Sequence, residues 1–377
     1  MHHDTQRAQE WTATMAGFNQ EGVVLPHGGA SPAIDCALPY LREEREAREA
    51  EWSSKGATLG RGAGRRPHTE LPDPTRTCFE VDRDRILHRS PAFRRLSGKT
   101  QVFIFPKDHI RTRLTHALEV TQVAAAIARS LRLNVALTEA IALGHDCGHG
   151  PFGHASEDAF APYLEHGFDH ATFGADVVLE RLNLTEETTD GIRNHSWSRP
   201  APLTPEGAVV SFADRIAYVC HDFEDAVSAG IISPRELPHQ VVTLAGASRG
   251  RQLDYFISDI VTSSATHGMI CASSEAGNVL SAFRQFNYER IYNREESRAQ
   301  AVAVIALLRE MIDRFLDDPS TLPGDTAEEV AASPEPERAV VAYVAGMTDR
   351  YAVLEYERVT NKIVTDLPGI DLRSRTR

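Results

Sequence analysis

The chain has 377 residues, 42% hydrophobic and 25% charged, which supports a large core beneath an ordinary polar surface. It holds no apolar run of about eighteen residues, and its start, MHHDTQRAQEWTATMAGFN, lacks the basic and apolar regions of a secretory signal, so a cytoplasmic protein with no membrane span is expected. A formal net charge of −13 argues against nonspecific nucleic-acid binding by the whole surface. The five cysteines (Cys36, Cys78, Cys147, Cys220, Cys271) are scattered and never form CxxC, which argues against a disulfide framework or a zinc ribbon.

Residues 1 to about 36 show no sustained period and are expected to be a flexible tail. ALPYLREEREAREAEW then reads as a short charged helix, and the Gly-, Pro- and Arg-rich stretch up to about residue 77 as an irregular loop. From about residue 79 the pattern is helical. In LTHALEVTQVAAAIARSL, Leu114, Leu118, Val123, Ile127 and Leu131 recur at helix-face spacing. ALTEAIALGHDCG repeats the pattern and is expected to stop at Gly148 as a cap. DHATFGADVVLERL, GAVVSFADRIAYVCHDFEDAVSAG, AGNVLSAFRQFNYERIY, SRAQAVAVIALLREMIDRFL and ERAVVAYVAGMTDRYAVLEYERV are further amphipathic candidates. TQVFIF, residues 100–105, is the one stretch that reads as a short β-hairpin arm. The expected fold is all-α, a single domain over 37–377 with no internal repeat.

Basic residues cluster locally: Arg61, Arg65 and Arg66; Arg94, Arg95 and Lys99; Arg111 and Arg113. A confined basic neighbourhood on an acidic protein suits a small polyanionic ligand, although solvated surface arginines give the same pattern. The densest chemistry lies in GHDCGHGPFGHASE, residues 144–157. His145 and Asp146 are adjacent near a helix end, where an imidazole and a carboxylate can lean toward one divalent ion of the Mn, Fe, Zn or Mg kind. Two ligands hold a metal poorly. His116 in the upstream helix and Asp214 after an apolar run complete a set of two histidines and two aspartates, leaving room for solvent or phosphate oxygens. Cys147 reads as a small buried residue rather than a ligand.

The order His116, His145–Asp146, Asp214 is that of the HD-domain phosphohydrolases. Five blocks, DRDRILHRSPAFRRLSGKTQVF, RTRLTHALEV, GHDCGHGPFGHASE, ADRIAYVCHDFEDA and AGMTDRYA, resemble the deoxyguanosine triphosphate triphosphohydrolase family in order and spacing, from about residue 40 to 360. The resemblance implies a helical HD fold, with its HD core at about 110–225 and a C-terminal helical part at about 245–365. It also implies hydrolysis of dGTP or other dNTPs to deoxynucleoside and inorganic triphosphate. His116, His145, Asp146 and Asp214 match the family's metal ligands, for a divalent ion such as Mn, Mg, Fe or Co. Arg113 matches a phosphate contact, for which a planar fork of donors suits better than a lysine. His149, His154 and His170 match histidines around the triphosphate. Within that group His154, oriented by Glu157 one turn further on, is the expected acid–base residue. Tyr218 and Asp222, following Asp214 on one helix face, match sugar-side positions. Lys99, Gln101, Arg215, Asp349, Arg350 and Tyr351 complete the substrate side.

The sequence departs from the family after His170, where HATFGADVV carries Ala171 and Phe173 in place of polar residues, so a broader dNTPase fits as well as a strict dGTPase. A homo-oligomer is expected by the same resemblance. Two other readings stay open: an HD phosphohydrolase acting on guanosine tetraphosphate or a nucleoside monophosphate, and a noncatalytic regulator that binds single-stranded nucleic acid.

Overall fold

A computed structural model describes residues 5–29, 31–36, 38–104, 109–364, 366–367 and 370–371. Residues 1–40 and 41–377 are separate compact units. The first holds helix α1 (Thr5–Met15) and an antiparallel hairpin of β1 (Phe18–Gln20) and β2 (Val23–Leu25), with Asn19 opposite Val24. Positive φ at Glu21 and Gly22 makes the two-residue turn between the strands. The sequence reading foresaw neither element. Nearly every described side chain here is exposed, Trp11 and Met15 among them, so no buried face existed to leave a period.

The second unit opens with α2 (Arg42–Trp52), whose first turn is closed by Glu44 accepting from the Leu41 N–H. The following loop is irregular, as expected, and is tied to α2 by Gly60 N–H on Glu49 and Gly62 N–H on Glu46. A Thr77–Glu80 capping box starts α3 (Cys78–Arg89), and Ser90 caps α4 (Pro91–Arg95). Next come α5 (Arg113–Ser130), α6 (Val135–Gly144), α7 (His154–Phe160), α8 (His170–Phe173), α9 (Glu186–Arg193) and α10 (Pro205–Ser228). Helices α3, α5, α6 and α10 enclose a first core that contains Phe79, Ile86, Val120, Ile127, Leu137, Ile141, Val209 and Ile216. Around it lie α11 (His239–Leu244), α12 (Arg249–His267) and α13 (Ser274–Asn287). A second core joins Phe152, Phe160 and Phe168 to α14 (Glu295–Asp317), α15 (Gly324–Ala332), α16 (Pro336–Ala345) and α17 (Asp349–Thr360). A two-residue pairing of β3 (Asp366–Leu367) with β4 (Ile370–Asp371) follows.

The fold is the expected all-α one, and among the described residues the strands are confined to the short β1–β2 and β3–β4 pairings. Four local expectations change. Helix α5 packs between α6 and α10 through Ala117, Val120, Val123, Ala124 and Ile127, because small residues let helices approach closely; Leu118 instead is 48% exposed. Helix α6 ends at Gly144, and residues 145–148 form a turn closed by Cys147 N–H on Gly144 and His149 N–H on Asp146, so Gly148 is not the cap. Residues 170–182 divide into α8, a π turn and a 3₁₀ turn, because Gly174 lies against the backbone of Gly148. TQVFIF forms a single bridge, Thr100 to Thr112, rather than a hairpin; residue 105 lies outside the described residues.

Candidate metal and anion centre

The segment between α6 and α7 crosses from the first core, where Cys147 is buried, to the second, where Phe152 is buried. It brings His145, Asp146, His149 and His154 against the N-terminal turn of α5 and the middle of α10. A cavity of ≈ 180 Å³ opens there, walled by Arg113, His116, Asp146, His149, His154, His170 and Asp214. Two backbone features shape the entry to α7. Phe152 has φ 64 and Gly153 has φ 65, and a Cβ on Gly153 would stand 2.9 Å from Arg113 Nη2. Left-handed backbone at Phe152 costs about 1 kcal/mol, offset by burial of its ring and by its N–H on Asp349 at 2.7 Å.

His116, His145 and Asp214 bring donor atoms within 4.8 Å of one another, as a metal site requires. His116 Nε2 is 3.1 Å and His145 Nε2 3.7 Å from Asp214 Oδ1, while Asp146 Oδ1 is 3.4 Å from His145 Nε2. The His145 Nδ1–H donates to the Ala142 carbonyl at 2.7 Å, which leaves Nε2 with its lone pair aimed inward, buried and without a hydrogen-bond partner. Burial disfavours charge on Asp146 and Asp214, but the surrounding histidines, with Arg113 beside Asp146, outweigh it and hold both well below the ordinary carboxylate range. An orphaned imidazole nitrogen beside ionised carboxylates fits a divalent cation.

Arg113 begins α5, where a cation opposes the helix dipole. It is held there by Asp146 Oδ2 at 2.8 Å, while its Nε and Nη2 are buried without partners, so those donors suit an anion in the cavity. His149 and His170 stack at 3.7 Å. Burial, with Arg113 and His170 nearby, keeps His149 neutral. For His170, burial opposes charge, but the Glu157 carboxylate 2.7 Å from Nδ1 prevails and raises the pKa. His154 opens to the cavity; desolvation and Arg113 lower it to about 4. Glu157 therefore orients His170, not His154 as the sequence reading had it, and no hydrogen bond joins His154 to Glu157 among the described residues. The cause is register: α7 aims Glu157 at the start of α8, from which His170 projects.

Of the substrate-side expectations, Gln101, Arg215 and Tyr218 line the cavity. The Gln101 Oε1 is buried and unpartnered. Asp222 is fully buried behind Tyr218 and accepts from Tyr292 OH at 2.7 Å; burial raises its pKa to about 7. Four others do not line the cavity. Lys99 is buried, and its ammonium donates to the carbonyls of His149 and Ala345. Asp349 accepts from Thr100 N–H, Thr100 Oγ1 and Phe152 N–H. Arg350 is exposed, and Tyr351 OH lies 3.3 Å from Tyr343 OH. Two of the basic clusters are partly neutralised: Arg66 pairs with Asp82, and Arg111 with Glu119, Glu224 and Asp225. The reading missed His195, Ser196, Trp197, Arg284 and Tyr292. Trp197 carries the Arg215 guanidinium 4.4 Å from its ring centre. The available signal was NHSW at 194–197, a His just past a helix end and followed by a polar residue, much as in GHD.

Two family models match the chain: the HD domain over residues 113–219 and the phosphohydrolase-associated domain over 270–358. The chain is 41% identical over 326 residues to a deoxyguanosinetriphosphate triphosphohydrolase-like protein of Caldanaerobacter subterraneus, covering 85% of this chain and 95% of that one. It is 40% identical over 337 residues to a protein of the same name from Clostridium perfringens, covering 85% and 97%. A deoxyguanosinetriphosphate triphosphohydrolase-like protein of Deinococcus radiodurans is 35% identical over 367 residues, covering 83% and 98%.

Proposed function

Since the chain belongs to the deoxyguanosinetriphosphate triphosphohydrolase-like family of HD-domain phosphohydrolases, we propose that it hydrolyses deoxynucleoside triphosphates to the deoxynucleoside and inorganic triphosphate. The observation that carries the reading is the cavity itself: four His and Asp donors lie beside the buried, unpartnered guanidinium nitrogens of Arg113. His116, His145, Asp146 and Asp214 would hold a divalent cation, manganese, magnesium, iron or cobalt. When bound, it supplies charge neutralisation and polarises a phosphoryl oxygen.

The chain's own residues do the rest. Arg113 meets the phosphate nearest the sugar through its free donors, with His149 and His170 beside it. Water attacks that phosphorus, the bond to the 5′-oxygen breaks, and His154 moves the proton, from the water or to the departing oxygen. Tyr218, backed by Asp222 and Tyr292, faces the deoxyribose, where a close aromatic wall disfavours a 2′-hydroxyl. Ala171 and Phe173 after His170 leave a broad dNTPase as good a fit as one strict for dGTP. The assembly is a homo-oligomer in the cytoplasm.

The test is to incubate the purified protein with each dNTP and with GTP, under each of the four metals, and identify products by mass. Deoxynucleoside plus triphosphate supports the reading. Monophosphate release, or single-strand binding with no turnover, sinks it. His154→Ala should keep its metal content and lose about 10²- to 10⁴-fold in kcat. Asp146→Ala should lose the metal first.

A further inference from the structure

His195 stands two residues beyond α9 and is buried. Both nitrogens of its ring are engaged. Nδ1 is 2.8 Å from the Ile192 carbonyl, three residues back, and must donate to it. That leaves a lone pair on Nε2, 3.3 Å from His170 Nε2, so His170 is the donor across this contact. On its other nitrogen His170 meets Glu157. A continuous line of hydrogen bonds therefore runs from the Ile192 carbonyl through His195 and His170 to Glu157. His170 needs such support, because α8 is 4 residues long and bends at once into a π turn. The ring of His149 stacks on His170 with an interplanar angle of 15°, so a rotation of one displaces the other.

We propose that His195 is a positioning residue of this centre. By accepting from His170 it fixes the rings of His170 and His149 that face the phosphate chain of a polyphosphate ligand. The proposal rests on the nucleoside-triphosphate reading of the cavity.

The experiment compares wild type, His195→Ala and His195→Gln as metal-loaded full-length protein, each also in a His170→Ala background. Metal content, kcat and KM for the dNTP turned over, and binding of inorganic tripolyphosphate are measured. His195→Ala is expected to keep its metal and lose about 10- to 100-fold in kcat, with a parallel loss of tripolyphosphate affinity. Gln places an acceptor oxygen near the Nε2 position and should recover much of that loss. In the His170→Ala background, His195→Ala should cost less than about twofold, because the two residues act as a unit. An unchanged kcat and tripolyphosphate affinity, loss of the metal, or a full cost persisting without His170 would each overturn the proposal. If His195→Ala does not fold, His195→Asn, which lacks an acceptor at the Nε2 position, replaces it. Should wild type turn over no dNTP, the parent reading fails alone, and tripolyphosphate binding still decides the role of His195.

Discussion

Gly148 lies where the turn carrying His145 and Asp146 meets the start of α8, and Gly148→Ala tests how tightly the two are joined. A Cβ there would stand 2.0 Å from the His170 carbonyl oxygen and 2.4 Å from the Gly174 nitrogen. Ordinary contact begins near 3.4 Å, so the chain at His170 must retreat by 3.4 − 2.0 = 1.4 Å. Both obstacles are backbone atoms, which cannot rotate aside, so the cost should reach the upper end of the overpacking range, about 3 kcal/mol. With an unfolding entropy of about 2.1 cal/mol/K per residue over 377 residues, roughly 0.8 kcal/mol/K, the melting temperature should fall by about 4 °C. Misplacing a ligand-facing group by about 1 Å costs on the order of 10²-fold in rate, so dNTP turnover should drop about that much while the metal stays bound. Thermal unfolding by circular dichroism and steady-state turnover measure the two effects. Gly277→Ala at an exposed position of helix α13, where a Cβ meets nothing within 4 Å, is the control and should stabilise by up to about 1 kcal/mol. A Gly148→Ala protein melting within about 1 °C of wild type, with turnover within about twofold, would refute the argument.

Burial raises Glu49 from its ordinary 4.5 to about 7, with Glu46, Glu206 and Glu80 adding to the Gly60-opposed shift. Because the folded pKa is the higher one, the favourable contribution is complete below pH 4.5 and is lost as pH rises toward 7. Glu49→Gln keeps an acceptor for the Gly60 N–H, so it should match wild type at pH 4 and exceed it at pH 8 by about 1 kcal/mol after solvent screening, measured by urea unfolding. Equal stability at pH 8 would contradict that sign. Asp349→Ala strands the Thr100 and Phe152 N–H groups and should cost about 3 kcal/mol, or roughly 4 °C in melting temperature. A changed KM with unchanged melting would return Asp349 to the nucleotide side.

What the sequence made legible was chemistry carried by neighbours in the chain. His145 and Asp146 are consecutive, and the inward nitrogen of His145 is fixed by a carbonyl three residues back, so the candidate pair could be read from one short stretch. His195 is fixed in the same way, but it follows the short α9 and an interrupted α8, where no period draws attention to it. The Glu157 pairing was misread for a related reason: spacing along α7 puts it near His154, whereas its partner arrives from a separate element. Burial was the largest hidden quantity. Lys99 and Asp349 read as polar groups for a nucleotide, yet each is buried and bonded almost wholly to backbone.

Those two residues explain why the C-terminal block accompanies the HD motif. Lys99 joins the His149 and Ala345 carbonyls, and Asp349 joins Thr100 to Phe152. Three segments far apart in sequence are thereby clamped behind the loop that presents His149 and His154. Phe152 sits at positive φ with its N–H and ring both captured by this layer. The second core thus acts on the cavity without facing it. It supplies rigidity to a glycine-rich loop whose own sequence would leave it free, and a preorganised loop is what charge stabilisation in phosphoryl transfer requires.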